Sequence, residues 1–148
     1  MKKLFLTTFL MVLLVSATTN EAPKLPLQPS IEGTWELVSH YNYDNNEVID
    51  TVPATNGYRQ IKMYYNGKVM WTRYVPTDSV EWFGYGSYKT TDNSLTESLE
   101  YMSASMRKIA DTLSVFTFEL QIDEKNYRQI SLDAEGNRTF SENYKRLN

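Results

Sequence analysis

Arg59, Arg73, Glu97 and Glu142 each stand two residues from apolar neighbours, in stretches that alternate apolar and polar. Arg59 shares its parity with Ile61 and Met63, and Arg73 with Val69 and Trp71. Glu97 shares its parity with Leu95, Leu99 and Tyr101, and Glu142 with Phe140 and Tyr144. Side chains two apart on a strand point the same way, so a face that buries the apolar members carries the charge inward with them. Unpaired buried charge is costly. These four residues are therefore expected either to pair inside the fold or to leave a site for a polar ligand head beside the aromatic walls Trp71, Tyr88, Phe116 and Phe118. Tyr101 and Tyr144 complete the candidate ligand-binding set.

Other chemistry is poorly supplied. His40 is the single histidine and there is no cysteine, so neither a cysteine-based site nor a histidine-cluster metal site can be built. No catalytic residue, metal or cofactor is assigned. His40 ends the first expected strand beside a loop rich in Tyr and Asn, where a solvated imidazole is expected. Glu97 with Glu142 could do acid–base work on a sugar, but the sequence alone does not place them within reach of each other. Gly84-Tyr85-Gly86 lies inside a strand pattern and precedes no helix, so it is no phosphate loop.

The elements that must position these residues read as strands. Ile31, Gly33, Trp35 and Leu37 share one face of the first. Tyr58 to Tyr65 follows, then Asn66-Gly67, a strong two-residue hairpin signal because both residues tolerate positive φ, then Lys68 to Val75. Glu81 to Thr90 contains Gly84 and Gly86, which suggest a bend or bulge. Ser94 to Met102, Leu113 to Ile122, Tyr127 to Leu132 and Arg138 to Leu147 complete eight strands joined by short polar turns. Two longer connections stand apart. Tyr41 to Gly57 is polar without helical period, and Ser103 to Asp111 suits one or two helical turns with Met106, Ile109 and Ala110 inward. An up-and-down antiparallel barrel of about eight strands is the simplest arrangement, since closure removes the open edges.

The chain ends bear on compartment. Lys2 and Lys3, the apolar run Leu4 to Val15 and the small residues Val15-Ser16-Ala17 read as an export signal over 1–17, cleaved after Ala17. The run is too short for a membrane span, which needs about 20 residues. Residues 18–30, with Pro23, Pro26 and Pro29, read as a tether, and 31–148 as one domain. Loss of Lys2 and Lys3 takes the net charge from −3 to −5. An acidic domain without a basic cluster argues against nucleic acid as a partner. A periplasmic or extracellular location is expected.

Gly33-Thr34-Trp35 is a G-x-W on the first strand, and Arg146 lies near the chain's end. With Gly67 to Arg73 and Gly84 to Tyr88, these features resemble the bacterial secreted lipocalin-like (calycin) family over roughly Ile31 to Leu147. The resemblance implies a barrel whose closed end is sealed by Arg146 packed across the Trp35 ring, a cation–π contact worth about 0.5–2 kcal/mol. It also turns Glu142 and Tyr144 inward along with Arg146. The expected function is binding of a small apolar or amphipathic molecule, without catalysis. The alternative is a packed barrel acting on a protein partner through loops that carry Tyr41 and Tyr43.

Overall fold

Two asparagine-bearing turns anchor the strand pattern. Asn66 and Gly67 adopt φ of 47° and 73°, and Asn45 and Asn46 adopt 49° and 66°, the left-handed pair that a tight two-residue hairpin requires. The computed structural model describes residues 29–55, 57–77 and 79–147. The export signal expected over 1–17 and most of the tether expected over 18–30 lie outside the described residues.

The described residues form nine strands and one helix. The strands are β1 (Gly33–Asp44), β2 (Glu47–Pro53), β3 (Arg59–Tyr65), β4 (Lys68–Tyr74), β5 (Trp82–Thr90), β6 (Ser94–Met102), β7 (Val115–Ile122), β8 (Asn126–Leu132) and β9 (Arg138–Leu147); the helix, α1, is Ala104–Ala110. All neighbours pair antiparallel in the order β2-β1-β3-β4-β5-β6-β7-β8-β9, and β1 also pairs with β9. The sheet therefore closes into a ring of eight strands, with β2 paired to Ser39–Asp44 along the β1 edge that β3 occupies at Gly33–Glu36. No helix among the described residues is long and apolar enough to cross a membrane.

The all-β antiparallel reading holds, with one strand more than expected. The polar stretch after Tyr41 is not a loop: β1 continues to Asp44 and turns through Asn45-Asn46 into β2. All seven β2 residues are exposed, so no buried face imposes the alternation that reveals a strand. The helix forms where expected. Ser103 caps it by accepting from the Met106 amide at 3.3 Å, and its own amide bonds the Phe83 carbonyl at 3.0 Å, tying the helix to β5.

Two bulges change which residues face inward. The β1–β9 register shifts between Leu37 and Ser39, so Trp35 and Leu37 point in before it, and His40, opposite Glu142, points in after it. In β6 the register passes from Leu99 opposite Gly86 to Tyr101 opposite Tyr85, leaving Glu100 as the extra residue.

The interior is layered. Its lower half is solid with Trp35, Leu37, Tyr64, Val69, Leu95, Leu120, Tyr127 and Tyr144, all buried; each large side chain so buried contributes about 1.5–3 kcal/mol. Tyr127 stacks on Tyr144 at 4.6 Å and meets Trp35 edge-on at 4.8 Å. Trp71, Leu99, Met102 and Met106 form a second, smaller cluster under α1. The polar layer lies between the two.

Candidate functional site

Strand register explains how a polar layer comes to be inside. Lys62 lies directly opposite Trp35 on β1 and Trp71 on β4. Residues opposite each other in a sheet share a face, so two inward tryptophans carry Lys62 in with them. Gln60 lies opposite Arg73 and follows the same rule.

Lys62 Nζ donates to both oxygens of Glu97, at 3.1 and 3.2 Å, and to the Gln129 side-chain oxygen at 2.8 Å. Tyr64 donates its hydroxyl to Glu97 Oε1. Glu142 Oε2 accepts from Gln60 at 3.2 Å, Gln129 at 2.9 Å and Tyr144 at 2.6 Å. Arg73 Nη2 donates to Glu142 Oε1 at 3.3 Å, and Arg73 Nε to the Gln60 oxygen at 2.6 Å. One network thus joins β3, β4, β6, β8 and β9.

The electrostatics follow from this arrangement. Burial pushes the Glu142 carboxyl up, but Lys62, the Tyr144 hydroxyl, Arg73 and Gln60 outweigh it and hold the group below the ordinary carboxylate range. The Tyr64, Tyr127 and Tyr144 hydroxyls are pushed well above their usual value by burial, reinforced by the charge of Glu97 on the first two and Glu142 on the third. They are fixed as neutral donors. His40 is pulled below its usual value by burial, with Arg73 adding and Glu142 opposing.

Above this layer is a cavity of about 230 Å³. Trp71, Leu99, Phe116 and Phe118 form its sides, Met106 and Ile109 of α1 its cover, and Lys62, Arg73, Glu97, Gln129 and Glu142 its floor, with Trp82 beside Arg73. The polar groups are deepest and the apolar walls lie nearer the mouth. A molecule entering here would meet hydrogen-bonding groups with its leading end and rings with its trailing body.

Of the candidate residues, the structure brings Trp71, Arg73, Glu97, Phe116, Phe118 and Glu142 to this chamber. Arg59 is a correction: it points outward, its side chain 61% exposed and paired with Glu36 at 2.8 Å. Its expected companions Ile61 and Met63 lie on the outer face too, because β3 presents Gln60, Lys62 and Tyr64 inward. Tyr101 is a second correction: the β6 bulge turns it out, 65% exposed. Tyr88 packs edge-on to Tyr64 at 5.0 Å in the lower core, away from the chamber. Tyr144 sits beneath the floor as a donor to Glu142. His40, expected in solvent, is half-buried and stacks on Phe140 at 5.2 Å, because the β1 bulge turns it inward. Tyr43 is buried with its hydroxyl 3.3 Å from Ser141 Oγ, so it does not present a loop surface.

The guanidinium of Arg146 lies 4.0 Å from the Trp35 ring centroid and donates to the carbonyls of Glu124, Glu32 and Ser30 at 2.6–2.8 Å. A side chain on Gly33 would strike that guanidinium, which accounts for the glycine of the G-x-W. This contact seals the solid end, opposite the chamber.

Lys62, Gln60 and Gln129 were not anticipated. The signal for the first two was present: a two-residue turn at Asn66-Gly67 places Lys62 opposite Trp71 and Gln60 opposite Arg73 by counting alone. Gln129 has no such marker.

No family model and no curated protein matches the chain. A solved structure to which it is similar is an uncharacterized protein from Bacteroides eggerthii. The match covers 80% of this chain and 100% of that one, at 16% identity and a TM-score of 0.50. That likeness concerns the fold alone.

Proposed function

We propose that this chain is an exported, lipocalin-like β-barrel that holds one small amphipathic molecule, polar end first, without transforming it. The observation that carries the reading is the chamber itself. It is apolar at the sides and polar at its floor, and its polar groups are already held in place by one another. Such pre-organisation lowers the ordering cost of binding. At about 230 Å³ the chamber is below the roughly 300–1,000 Å³ of drug-sized pockets, so the ligand is small or leaves its tail at the mouth.

The test is a titration of the purified protein with naphthol, whose fluorescence reports its surroundings. One saturable site is expected, and Leu99→Trp, which fills the chamber, should weaken binding at least about tenfold while far-UV circular dichroism stays unchanged. No saturable signal from folded protein would defeat the reading.

One observation favours a second reading, action on a protein partner. β2 carries Val48, Ile49 and Val52 exposed and, among the described residues, pairs on one side only, with β1. A free edge of this kind can accept an added strand. Replacing Val52 with Pro would abolish such pairing and leave naphthol binding intact.

A further inference from the structure

The floor of the chamber contains two cations and two anions, each already matched. Lys62 pairs with Glu97 at 3.1 Å, and Arg73 with Glu142 at 3.3 Å. Three polar side chains in the layer are occupied as well. The Gln60 oxygen accepts from Arg73 and Tyr58, the Gln129 oxygen accepts from Lys62, and Glu142 Oε2 accepts three hydrogen bonds. What remains unused is mainly donor capacity. Arg73 reaches Gln60 through Nε and Glu142 through Nη2, which leaves Nη1 outside both of these bonds, and Gln129 commits one of its two amide hydrogens, to Glu142. Both side chains line the chamber.

We infer that the chamber selects an uncharged amphipath whose polar end accepts hydrogen bonds, such as an alcohol, ether or carbonyl compound, and discriminates against carboxylates and amines. This rests on the reading of the chamber as a ligand site. A ligand carboxylate would bring an unmatched negative charge to a largely water-excluded floor. Even if it accepted from Arg73 Nη1, it would share with Glu142 a single cation between two carboxylates, so the added charge stays unmatched. A ligand ammonium faces Lys62 and Arg73, and either carboxylate it approaches is already neutralised by one of them. A neutral acceptor takes the unused Arg73 and Gln129 hydrogens and disturbs neither pair.

The test is calorimetric titration of the purified protein at about pH 7 with octanol, octanoate and octylammonium, which share one chain and differ in head charge. Octanol is expected to bind at least about tenfold more tightly than either charged analogue. Octanoate or octylammonium binding as tightly as octanol would overturn the inference while leaving the chamber as a ligand site. Failure of all three to bind would overturn the reading of the chamber, and the inference with it. Glu142→Gln leaves the floor with one excess positive charge and should shift preference toward octanoate. Arg73→Gln, at a position still partly in contact with solvent, leaves one excess negative charge and should shift preference toward octylammonium even if Glu142→Gln does not fold. A folded variant that ranks the three ligands as the unmodified protein does would overturn the inference.

Discussion

Lys62 on β3 and Glu97 on β6 meet across the interior of the ring at 3.1 Å, each side chain only 4% exposed. Their attraction must offset the loss of hydration of both ions, and it does so with help from Gln129 and Tyr64. Lys62→Met should therefore destabilise the protein by about 3–5 kcal/mol, because it strands Glu97. Adding Glu97→Leu should recover much of that loss. Urea unfolding of the single and double variants checks this; equal stability of Lys62→Met and the unmodified protein would remove the pair from any stabilising role.

Arg146 acts at the other end. Arg146→Ala removes the contact with Trp35, worth about 0.5–2 kcal/mol, and three carbonyl hydrogen bonds. A loss of at least about 2 kcal/mol is expected, with naphthol affinity unchanged because the lower core separates this contact from the chamber. A loss of affinity at unchanged stability would contradict the division into a sealed end and an open one.

Gly86 holds β5 against β6 at the bulge. A Cβ there would run into the Ser98 carbonyl oxygen and the Leu99 backbone, atoms that cannot move without shifting the strand. Gly86→Ala should cost at least about 1–3 kcal/mol. Gly84→Ala should be milder, since the added carbon meets the Trp71 ring at 2.6 Å; displacing that ring should alter ligand affinity. Unfolding midpoints and naphthol titrations of both variants distinguish the two effects.

His40 should make stability depend on pH near neutrality. Burial favours the neutral imidazole, so its value in the folded state lies below the unfolded value of about 6.5. As pH falls below about 6.5, the unfolded chain takes up a proton that the folded chain resists, and stability drops until the folded value is passed. Because this is the chain's one histidine, His40→Gln should flatten the profile between about pH 7.5 and about pH 5.5. Urea midpoints across that range, with an NMR titration of the imidazole, check the sign. Parallel profiles for the two proteins would rule out His40 as the cause.

The strands of the ring were legible one by one, since nearest-neighbour physics defines them. Phe116, Phe118 and Leu120 alternate with Thr117, Glu119 and Gln121, and Asn66-Gly67 reverses the chain in two residues. The short helix and the Trp35–Arg146 seal were also anticipated, the seal by resemblance. The sequence alone thus determined that the chain is antiparallel β and roughly where each ring strand begins and ends. It left β2 hidden, because a strand with no buried face has no reason to alternate.

Tertiary structure decided which faces turn inward. On β3 an apolar-inside rule selects Ile61 and Met63, but the interior at that level is the charged layer, so Lys62 and Gln60 are inside and Arg59 is outside. The bulges at Val38 and Glu100 reverse parity within β1 and β6, turning His40 in and Tyr101 out. A bulge is one residue unmatched against a partner strand, a property of two segments far apart in the chain. The pairing of Lys62 with Glu97, and of Arg73 with Glu142, is likewise set by ring closure, which brings β3 and β4 across from β6 and β9.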